Sequence, residues 1–284
     1  TLLQEGNLDY DEYFKDPAAP LPYGFIRSGG HVRTIYPLLP GLVAVPVYAA
    51  GLPFVRGHPE APIVLEKITA SLLVAGSALF VALALRRITV PALALGLAAV
   101  YAFGTSVWVV GSQALWQHTP SVFFTAMGLW AFASSPGARA GGWPAGLAMG
   151  LAVWSRPTNL VMSPAWAWLA WRRHPARLPG FAAAYLAGAV APLVSNLILF
   201  GDPIGPYGML LSQVGKDWTQ WNPVISAMLK QPDWTFRWGE TLTGLLISPN
   251  RGLLIYSPVL IFSLIGGWAA WRRMSVEAGG LFRA

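Results

Sequence analysis

Cysteine is absent from this chain of 284 residues. Disulfide bonds and thiolate metal sites are therefore excluded, and the sequence gives no indication of the redox compartment. Several catalytic patterns are missing as well. The sequence has no Gly-rich nucleotide phosphate loop, no Gly-x-Ser-x-Gly turn and no His-Glu-x-x-His pair. It therefore gives no support to an ATP-driven pump.

Charge is also scarce. Only 11% of the residues are charged, whereas 55% are hydrophobic. Between Lys67 and Gly201 there is no Asp or Glu at all. A soluble domain could not bury so much apolar surface. The composition therefore predicts a polytopic membrane protein, whose spans each need about 20 apolar residues to cross ~30 Å of hydrocarbon.

The arginines are placed in a regular way. Each pair of adjacent arginines directly follows a long apolar run, and the pairs are Arg86-Arg87, Arg172-Arg173 and Arg272-Arg273. Lys and Arg in short loops collect on the cytoplasmic side, so these pairs predict which helix ends face inward. The net charge of +7 then reflects topology and contact with anionic membrane lipids. Nucleic acid is not expected as a partner.

Long apolar runs predict the spans. Five runs are continuous and cover residues 68–85, 90–110, 120–133, 181–200 and 252–271. A further run, 141–171, is interrupted at Arg156-Pro157. Two short spans that meet at 155–159 place Arg139 on the same side as the Arg172-Arg173 pair, whereas one span would separate them. Two short spans are therefore expected.

The early apolar run 36–55 is expected to lie in the membrane interface rather than to cross the membrane. Its prolines and glycine are expected to break it into short pieces, and they are Pro37, Pro40, Pro46, Gly51 and Pro53. If this run does not cross, every acidic residue except Glu277 falls on, or at the edge of, the external side.

The predicted architecture is an all-α, polytopic transmembrane helix bundle with an external juxtamembrane helix. It forms a single membrane domain, 1–284, which we expect to be truncated at both ends. Its predicted parts are an external polar segment (1–35), the interfacial helix (36–55), six spans (66–200), an external loop (201–250) and a last span (251–271).

The first candidate site lies in the polar N-terminal segment. Asp9, Asp11 and Glu12 are close in sequence, and His31 and Tyr36 follow them. Carboxylates at a membrane surface can serve as a general base or can hold a divalent cation. The alternative is a solvated acidic loop without a chemical role.

A second candidate is formed by Trp116, Gln117 and His118, which precede a predicted span.

His118 can act as an acid, a base or a ligand, and its neighbours can orient a sugar by hydrogen bonding and stacking. The alternative is an aromatic belt at the membrane interface with incidental polar residues.

Two further candidates resemble each other, because each places an Arg and an Asn at the external start of an apolar helix. The first contains Arg156 and Asn159, and the second contains Asn250 and Arg251. Helix N-termini and guanidinium groups both suit a phosphate. Tyr256, about one helical turn below Arg251, can complete such a pocket. The alternative is that both arginines extend to lipid headgroups.

Several of these motifs resemble one protein family. They are Tyr36-Pro37-Leu38-Leu39-Pro40-Gly41, Leu65-Glu66-Lys67, Leu115-Trp116-Gln117-His118-Thr119-Pro120, Ser155-Arg156-Pro157-Thr158-Asn159 and Ser248-Pro249-Asn250-Arg251-Gly252. Together with the acidic segment, they resemble the membrane-embedded GT-C glycosyltransferases, in particular bacterial relatives of the dolichyl-phosphate-mannose protein mannosyltransferases (glycosyltransferase family 39-like).

The resemblance implies an enzyme of the bacterial inner membrane with its active site on the periplasmic or extracellular face. It would move a sugar from a polyprenyl-phosphate carrier to a lipid, glycan or protein acceptor. The implied catalytic residues are Asp9, Asp11, Glu12 and His118. The implied donor-phosphate ligands are Arg156, Asn159, Asn250, Arg251 and Tyr256, and the implied substrate contacts are His31, Tyr36, Trp116 and Gln117.

The family's main catalytic carboxylate usually follows a first transmembrane helix, so it is expected to be missing together with the N-terminus. Asp9, Asp11 and Glu12 are the nearest substitutes. The resemblance leaves open whether a divalent cation is bound. Two other classes of function also stay open, a transporter or lipid flippase and a non-catalytic envelope-assembly protein.

Overall fold

The computed structural model describes residues 2–3, 5–22, 24–55, 57–134, 142–173, 175–206, 238–249 and 252–281. Helices dominate these residues. They are α1 (Leu39–Val55), α2 (Ala61–Leu85), α3 (Pro91–Phe103), α4 (Ser106–Gly111), α5 (His118–Ala133), α6 (Trp143–Ser155), α7 (Ser163–Arg173), α8 (Leu178–Phe200), α9 (Trp238–Ile247), α10 (Leu253–Tyr256) and α11 (Leu260–Leu281). Short 3-10 helices cover Pro157–Met162 and Pro175–Arg177.

The described residues are mostly helical, as predicted, and a β-hairpin that the sequence analysis did not predict precedes the helices. Strands β1 (Phe25–Ser28) and β2 (His31–Thr34) pair antiparallel, with Ser28 opposite His31. The two-residue turn consists of Gly29 and Gly30, whose φ values are +60° and +83°. Glycine adopts positive φ without steric cost, so a Gly-Gly pair favours this tight turn.

Within the part of the chain that the structure describes, two helices are long and apolar enough to cross a membrane, the helix Ala61–Leu85 and the helical segment Pro175–Phe200. Two predicted runs are interrupted. The run 90–110 divides at Gly104 and Thr105 between α3 and α4, and the run 252–271 divides between α10 and α11. The expected pieces of the run 36–55 instead form one continuous helix, α1, with Pro46 and Pro53 in its interior.

Contacts between helices show their relative directions. Glu66 and Val74 of α2 lie beside the segment that leads into α5, and Phe80 lies 5.2 Å from Trp130 near the end of α5. Helices α2 and α5 therefore run in the same direction. Helix α6 runs opposite to α5. Ala131, late in α5, packs with Ala145, early in α6. Phe124, earlier in α5, packs with Ala152, late in α6.

Helix α8 runs parallel to α6, and small residues bring the two backbones together. Gly146 faces Phe181, and one turn later Gly150 faces Gly188. A Cβ atom on Gly150 would lie 2.5 Å from the carbonyl oxygen of Tyr185 and 2.9 Å from Cα of Gly188. Such contacts need residues without a side chain. Glycine at these positions therefore sets the α6–α8 distance.

The chain reverses direction after α6. Helix α6 ends at Ser155, the 3-10 helix Pro157–Met162 follows, and α7 then returns along the bundle. Near the end of α7, Ala170 packs in one cluster with Ala131, Ala145 and Phe181. The reversal occurs at the Arg156-Pro157 interruption in the apolar run.

These directions define two ends of the bundle. At one end, which we term the site end, α2 and α5 begin and α6 and α8 finish. At the other, which we term the arginine end, α5 and α7 finish and α6 and α8 begin. The arginine end carries Arg86 and Arg87 after α2 and Arg172 and Arg177 around the end of α7.

Helix α1 lies across the site end. Its first residue, Leu39, packs against Phe124 of α5 and Ala152 of α6. Further along α1, the Tyr48 hydroxyl donates a hydrogen bond to the carbonyl oxygen of Pro62 at 2.7 Å, in the first turn of α2. These contacts place the start of α1 against α5 and α6 and its later turns against the beginning of α2.

Candidate functional site

The best-defined polar cluster is formed by Asp9, Asp11 and His31. His31 Nδ1 lies 2.7 Å from Asp11 Oδ2 and 3.6 Å from Asp9 Oδ2. The hairpin holds this arrangement, because the backbone N–H of Val32 donates to Asp11 Oδ1 at 2.6 Å. Val32 is 1% exposed, so a buried residue anchors an otherwise accessible cluster.

The other oxygen of Asp9 is also held in place. Asp9 Oδ1 accepts hydrogen bonds from Asn7 Nδ2 at 3.2 Å and from the backbone N–H of Asp11 at 3.4 Å. The Oδ2 atoms of both carboxylates therefore remain directed to one point beside His31. Among the described residues, Asp9, Asp11 and His31 are the group whose ligand atoms all lie within 4.8 Å of one another.

Local contacts also affect the ionisation of this segment. The Val32 N–H and the His31 hydrogen bond both stabilise the charged form of Asp11, so they lower the pKa of its carboxyl group. Burial raises the pKa of Tyr10, and nearby Tyr13 and Glu12 raise it further. The Tyr10 ring packs edge-on against Phe25 at 5.0 Å. Asp11 is thus favoured as a carboxylate, whereas Tyr10 remains a neutral phenol.

Glu12 lies in the same segment, with less access to solvent than its neighbour Tyr13. Its Oε1 atom is buried and has no hydrogen-bond partner among the described residues. Asn7 Oδ1 is likewise buried and has no hydrogen-bond partner among the described residues. The segment 7–12 therefore contains two buried acceptor oxygens that no described donor satisfies.

Two contacts join this N-terminal segment to the helices. Arg33, on β2, donates hydrogen bonds to the carbonyl oxygens of Ser28 and Leu199, and its guanidinium lies 5.9 Å from the Phe200 ring centroid. Because Leu199 and Phe200 end α8, the hairpin is tied to the site end. Tyr10 also lies near Tyr48 of α1, as its effect on the Tyr48 pKa shows.

Glu66 is the residue at this end that sequence reasoning did not assign to the site. It stands in the second turn of α2, and its Oε1 accepts the backbone N–H of Leu115 at 2.8 Å. Burial raises the pKa of Tyr48 to about 12, and the negative charge of Glu66 contributes to that rise. The available signal was the isolation of Glu66, the last acidic residue before the acid-free stretch.

The segment that begins at Leu115 contains the second candidate site. Trp116 is 60% exposed, whereas Gln117 and His118 are half-buried. The neighbouring Thr119 hydroxyl donates to the Gly111 carbonyl at 2.8 Å, which fixes the turn into α5. The structure therefore holds His118 in place and leaves the Trp116 indole accessible.

His118 and Arg156 lie at the same end of the bundle, although they belong to different candidate clusters in the sequence. Burial lowers the pKa of His118, and the positive charge of Arg156 lowers it further. His118 lies just before the apolar run 120–133, and Arg156 directly follows α6. Antiparallel α5 and α6 bring the two positions to the same end. His118 is therefore favoured as a neutral imidazole beside a guanidinium group.

The conformation of Arg156 separates two helices. Its backbone is extended, with φ −150° and ψ 106°, between α6 and the 3-10 helix that follows. The side chain is half-buried. No described residue forms a hydrogen bond or an ion pair with its guanidinium group. Its donors are thus available to an anionic ligand.

Asn159 has a different environment from the one expected of a phosphate ligand. Its Nδ2 atom donates to Ser121 Oγ at 2.7 Å and to the carbonyl oxygen of Ala152 at 2.7 Å. Both amide hydrogens are therefore engaged, and only the acceptor Oδ1 is left. In this arrangement Asn159 joins α5 and α6 and supports the position of Arg156.

The remaining predicted site residues make other contacts or lie outside the described residues. Tyr36 is 41% exposed and lies beside Gly24, where a Cβ atom would be 3.0 Å from the Tyr36 ring. Tyr256 is 57% exposed and donates from its hydroxyl to the Pro249 carbonyl at 2.9 Å. Asn250 and Arg251 lie outside the described residues, as do Arg139 and most of the predicted loop 201–250.

The site end thus contains groups that can perform three chemical tasks. Carboxylates and a neutral imidazole can accept a proton, an unpaired guanidinium can bind a phosphate, and Asp9, Asp11 and His31 can hold a metal ion.

Comparison with known proteins found no matching family model, no matching curated protein and no matching solved structure.

Proposed function

We propose that this chain belongs to a membrane-embedded glycosyltransferase of the GT-C type. It would transfer a sugar from a polyprenyl-phosphate carrier to an acceptor at the external face of the membrane. The observation that carries the proposal is the placement of His118 and Arg156 at the same end of an apolar helical bundle, where Asn159 bonds to Ser121 near the start of α5 and to Ala152 near the end of α6. A proton acceptor and a phosphate-binding group are the two functions that such a transfer needs.

In the proposed architecture the bundle is polytopic, and α1 lies in the external interface. The two helices long enough to cross a membrane support membrane association. The arginine end would face the cytoplasm, since positive residues accumulate there. The site end would then face outward, where the sugar of a lipid-linked donor meets water while its isoprenoid tail remains in the bilayer.

The proposed reaction is a substitution at the anomeric carbon. An acceptor hydroxyl oxygen attacks that carbon and loses its proton to a site-end base, for which His118 is suited because its pKa is lowered. The bond from the anomeric carbon to the phosphate oxygen breaks at the same time. Polyprenyl phosphate leaves with the bonding electrons, and Arg156 stabilises the charge that develops on it.

The carboxylates of Asp9 and Asp11 would position the acceptor from the N-terminal segment. This segment is held at the site end by the contact of Arg33 with Leu199. Trp116, exposed beside His118, is suited to stack on a sugar ring. Each of these roles concerns a different part of the substrate, so single substitutions separate them.

A transfer assay tests the proposal. Membranes that contain the full-length protein are supplied with radiolabelled sugars on polyprenyl phosphate, and labelled products are separated from the donor. We expect carrier-dependent transfer that Arg156→Ala lowers by about 10-fold or more, since a hydrogen bond to a charged group contributes ~1.5–3 kcal/mol. Arg86→Ala, at the arginine end, is the matched control and should retain activity.

Failure of every polyprenyl-phosphate sugar to support transfer would contradict the proposal. Equal losses in Arg156→Ala and Arg86→Ala would contradict the assignment of the site. Release of labelled donor across the membrane, without a new glycosidic bond, would instead support a transporter or flippase.

A further inference from the structure

We infer that Asp9, Asp11 and His31 form a binding site for a divalent transition-metal ion. The three ligand atoms are Asp9 Oδ2, Asp11 Oδ2 and His31 Nδ1, and all lie within 4.8 Å of one another. Their residues come from two separate parts of the chain that the β-hairpin brings together. The inference does not depend on the proposed transferase activity, because metal binding is measured without it.

The distances fit a coordinated ion. Neighbouring ligands of a tetrahedral Zn²⁺ with bonds of ~2.0–2.1 Å are about 3.3 Å apart. The His31 nitrogen lies 2.7 Å from the Asp11 oxygen and 3.6 Å from the Asp9 oxygen. The two separations that involve His31 thus differ from this ideal distance by about 0.6 Å and about 0.3 Å, and the two carboxylate oxygens lie within 4.8 Å of each other.

The second oxygens of the two carboxylates are already engaged, which orients the first ones. Val32 N–H holds Asp11 Oδ1, and Asn7 and the Asp11 backbone hold Asp9 Oδ1. Such supporting hydrogen bonds keep metal ligands in position and are a general feature of metal sites. Monodentate binding by each Oδ2 is therefore the mode that the geometry favours.

The residue that orients Asp9 also carries an unsatisfied acceptor. Asn7, whose Nδ2 donates to Asp9, has a buried Oδ1 atom with no hydrogen-bond partner among the described residues. Buried acceptors without partners are rare and call for a bound water or an ion.

The ligand chemistry indicates which ions bind. One imidazole nitrogen and two carboxylate oxygens suit Zn²⁺ or Mn²⁺, whereas Mg²⁺ and Ca²⁺ prefer oxygen ligands alone. The two carboxylates give the site a negative charge that attracts a dication. Three protein ligands leave at least one coordination position open, and His31 and Asp11 are 47% and 40% exposed. A metal-bound water or substrate oxygen can therefore reach this position.

The test measures binding directly. The full chain is purified in detergent, stripped with a chelator, and titrated with ZnCl₂ and, separately, with MnCl₂ by calorimetry. We expect one equivalent of Zn²⁺ per chain. A parallel titration with CoCl₂ should give visible absorption bands from imidazole and carboxylate coordination.

Matched variants identify the ligands. His31→Gln and Asp9→Asn should each weaken Zn²⁺ binding by at least 10-fold. His58→Gln and Asp16→Asn, which change an exposed residue of the same type elsewhere, should bind as the wild type does. Asp11→Asn is less informative because the carboxylate also accepts the Val32 N–H, so His31→Gln is the deciding variant.

Two outcomes would overturn the inference. One is the absence of Zn²⁺, Mn²⁺ and Co²⁺ binding in a wild-type protein that circular dichroism shows to be folded. The other is unchanged Zn²⁺ affinity in His31→Gln, in which case the cluster is an ion pair only. A transferase assay that succeeds while metal binding fails would remove this inference and leave the proposed function intact.

Discussion

Glu66 accepts a hydrogen bond from the backbone N–H of Leu115 at 2.8 Å, and this contact joins the start of α2 to the segment that contains Trp116 and His118. The two residues are 49 positions apart in sequence. A carboxylate that receives a backbone N–H in a partly buried position fixes the path of that backbone. Glu66 therefore fixes the position of the segment that contains Trp116 and His118.

The first prediction concerns this contact. Glu66→Ala leaves the Leu115 N–H without its acceptor and should lower the free energy of unfolding by about 1–3 kcal/mol. Glu66→Gln keeps an acceptor oxygen and should have a smaller effect. Thermal unfolding in detergent measures the loss. The control is Glu60→Ala, which changes an exposed residue just before α2. An equal loss of stability in this variant would show that the Leu115 contact is not responsible.

A second prediction concerns His118 and Arg156. The positive charge of Arg156 disfavours the imidazolium form of His118, so Arg156→Gln should raise the pKa of His118 toward its ordinary value of about 6.5. Burial of the ring remains in the variant, so the recovery should be incomplete. NMR of the histidine-labelled protein across a pH series measures the shift. Arg86→Gln should leave the titration unchanged, and a falling His118 pKa in Arg156→Gln would refute the proximity.

The third prediction tests the role of Asn159. Loss of both hydrogen bonds from its amide should make Asn159→Ala less stable by about 1–3 kcal/mol. Asn159→Asp should be at least as damaging, because a carboxylate cannot donate to the Ala152 carbonyl. The exposed neighbour Thr158 supplies the control variant Thr158→Ala. If Asn159→Ala has the stability of wild type but impairs donor binding, Asn159 is a phosphate ligand after all.

Packing between α6 and α8 gives the fourth prediction. Gly150→Ala forces a Cβ atom against the Tyr185 and Gly188 backbones and should destabilise the protein by ~1–3 kcal/mol. In α3, by contrast, a Cβ atom on Gly96 meets nothing within 4 Å. Gly96→Ala should be neutral or slightly stabilising, because Ala favours a helix. Thermal unfolding of the two variants distinguishes them, and equal stability would contradict the close α6–α8 contact.

Hydropathy predicts the helices well because burial in a membrane or a core depends mainly on composition. It gave the locations of α2, α5 and α8, and the polar interruption at Arg156 marks the end of α6. It could not predict the division of the run 90–110. There the Thr105 hydroxyl accepts the Val107 N–H at 3.3 Å and donates to the Tyr101 carbonyl at 2.6 Å, and this local capping starts a new helix.

The site depended on contacts that sequence patterns do not encode. Asp11 and His31 were both identified as polar candidates, but their pairing across 20 residues requires the hairpin. The Gly29-Gly30 turn was the available signal for that hairpin. Arg156 was expected among the donor-phosphate ligands together with Arg251, which lies outside the described residues. Its proximity to His118 follows from the antiparallel arrangement of α5 and α6, which only the fold supplies.

The most direct test of a lipid-phosphate site at the site end is photo-crosslinking with polyprenyl phosphate that carries a diazirine near its phosphate. Labelled peptides are located by mass spectrometry. We predict labelling within residues 115–121 and 152–163, competition by unlabelled polyprenyl phosphate, and a strong decrease in Arg156→Ala. Labelling concentrated around Ala131, Trp143 and Ala170, at the arginine end, or labelling that unlabelled carrier does not reduce, would contradict the proposed site.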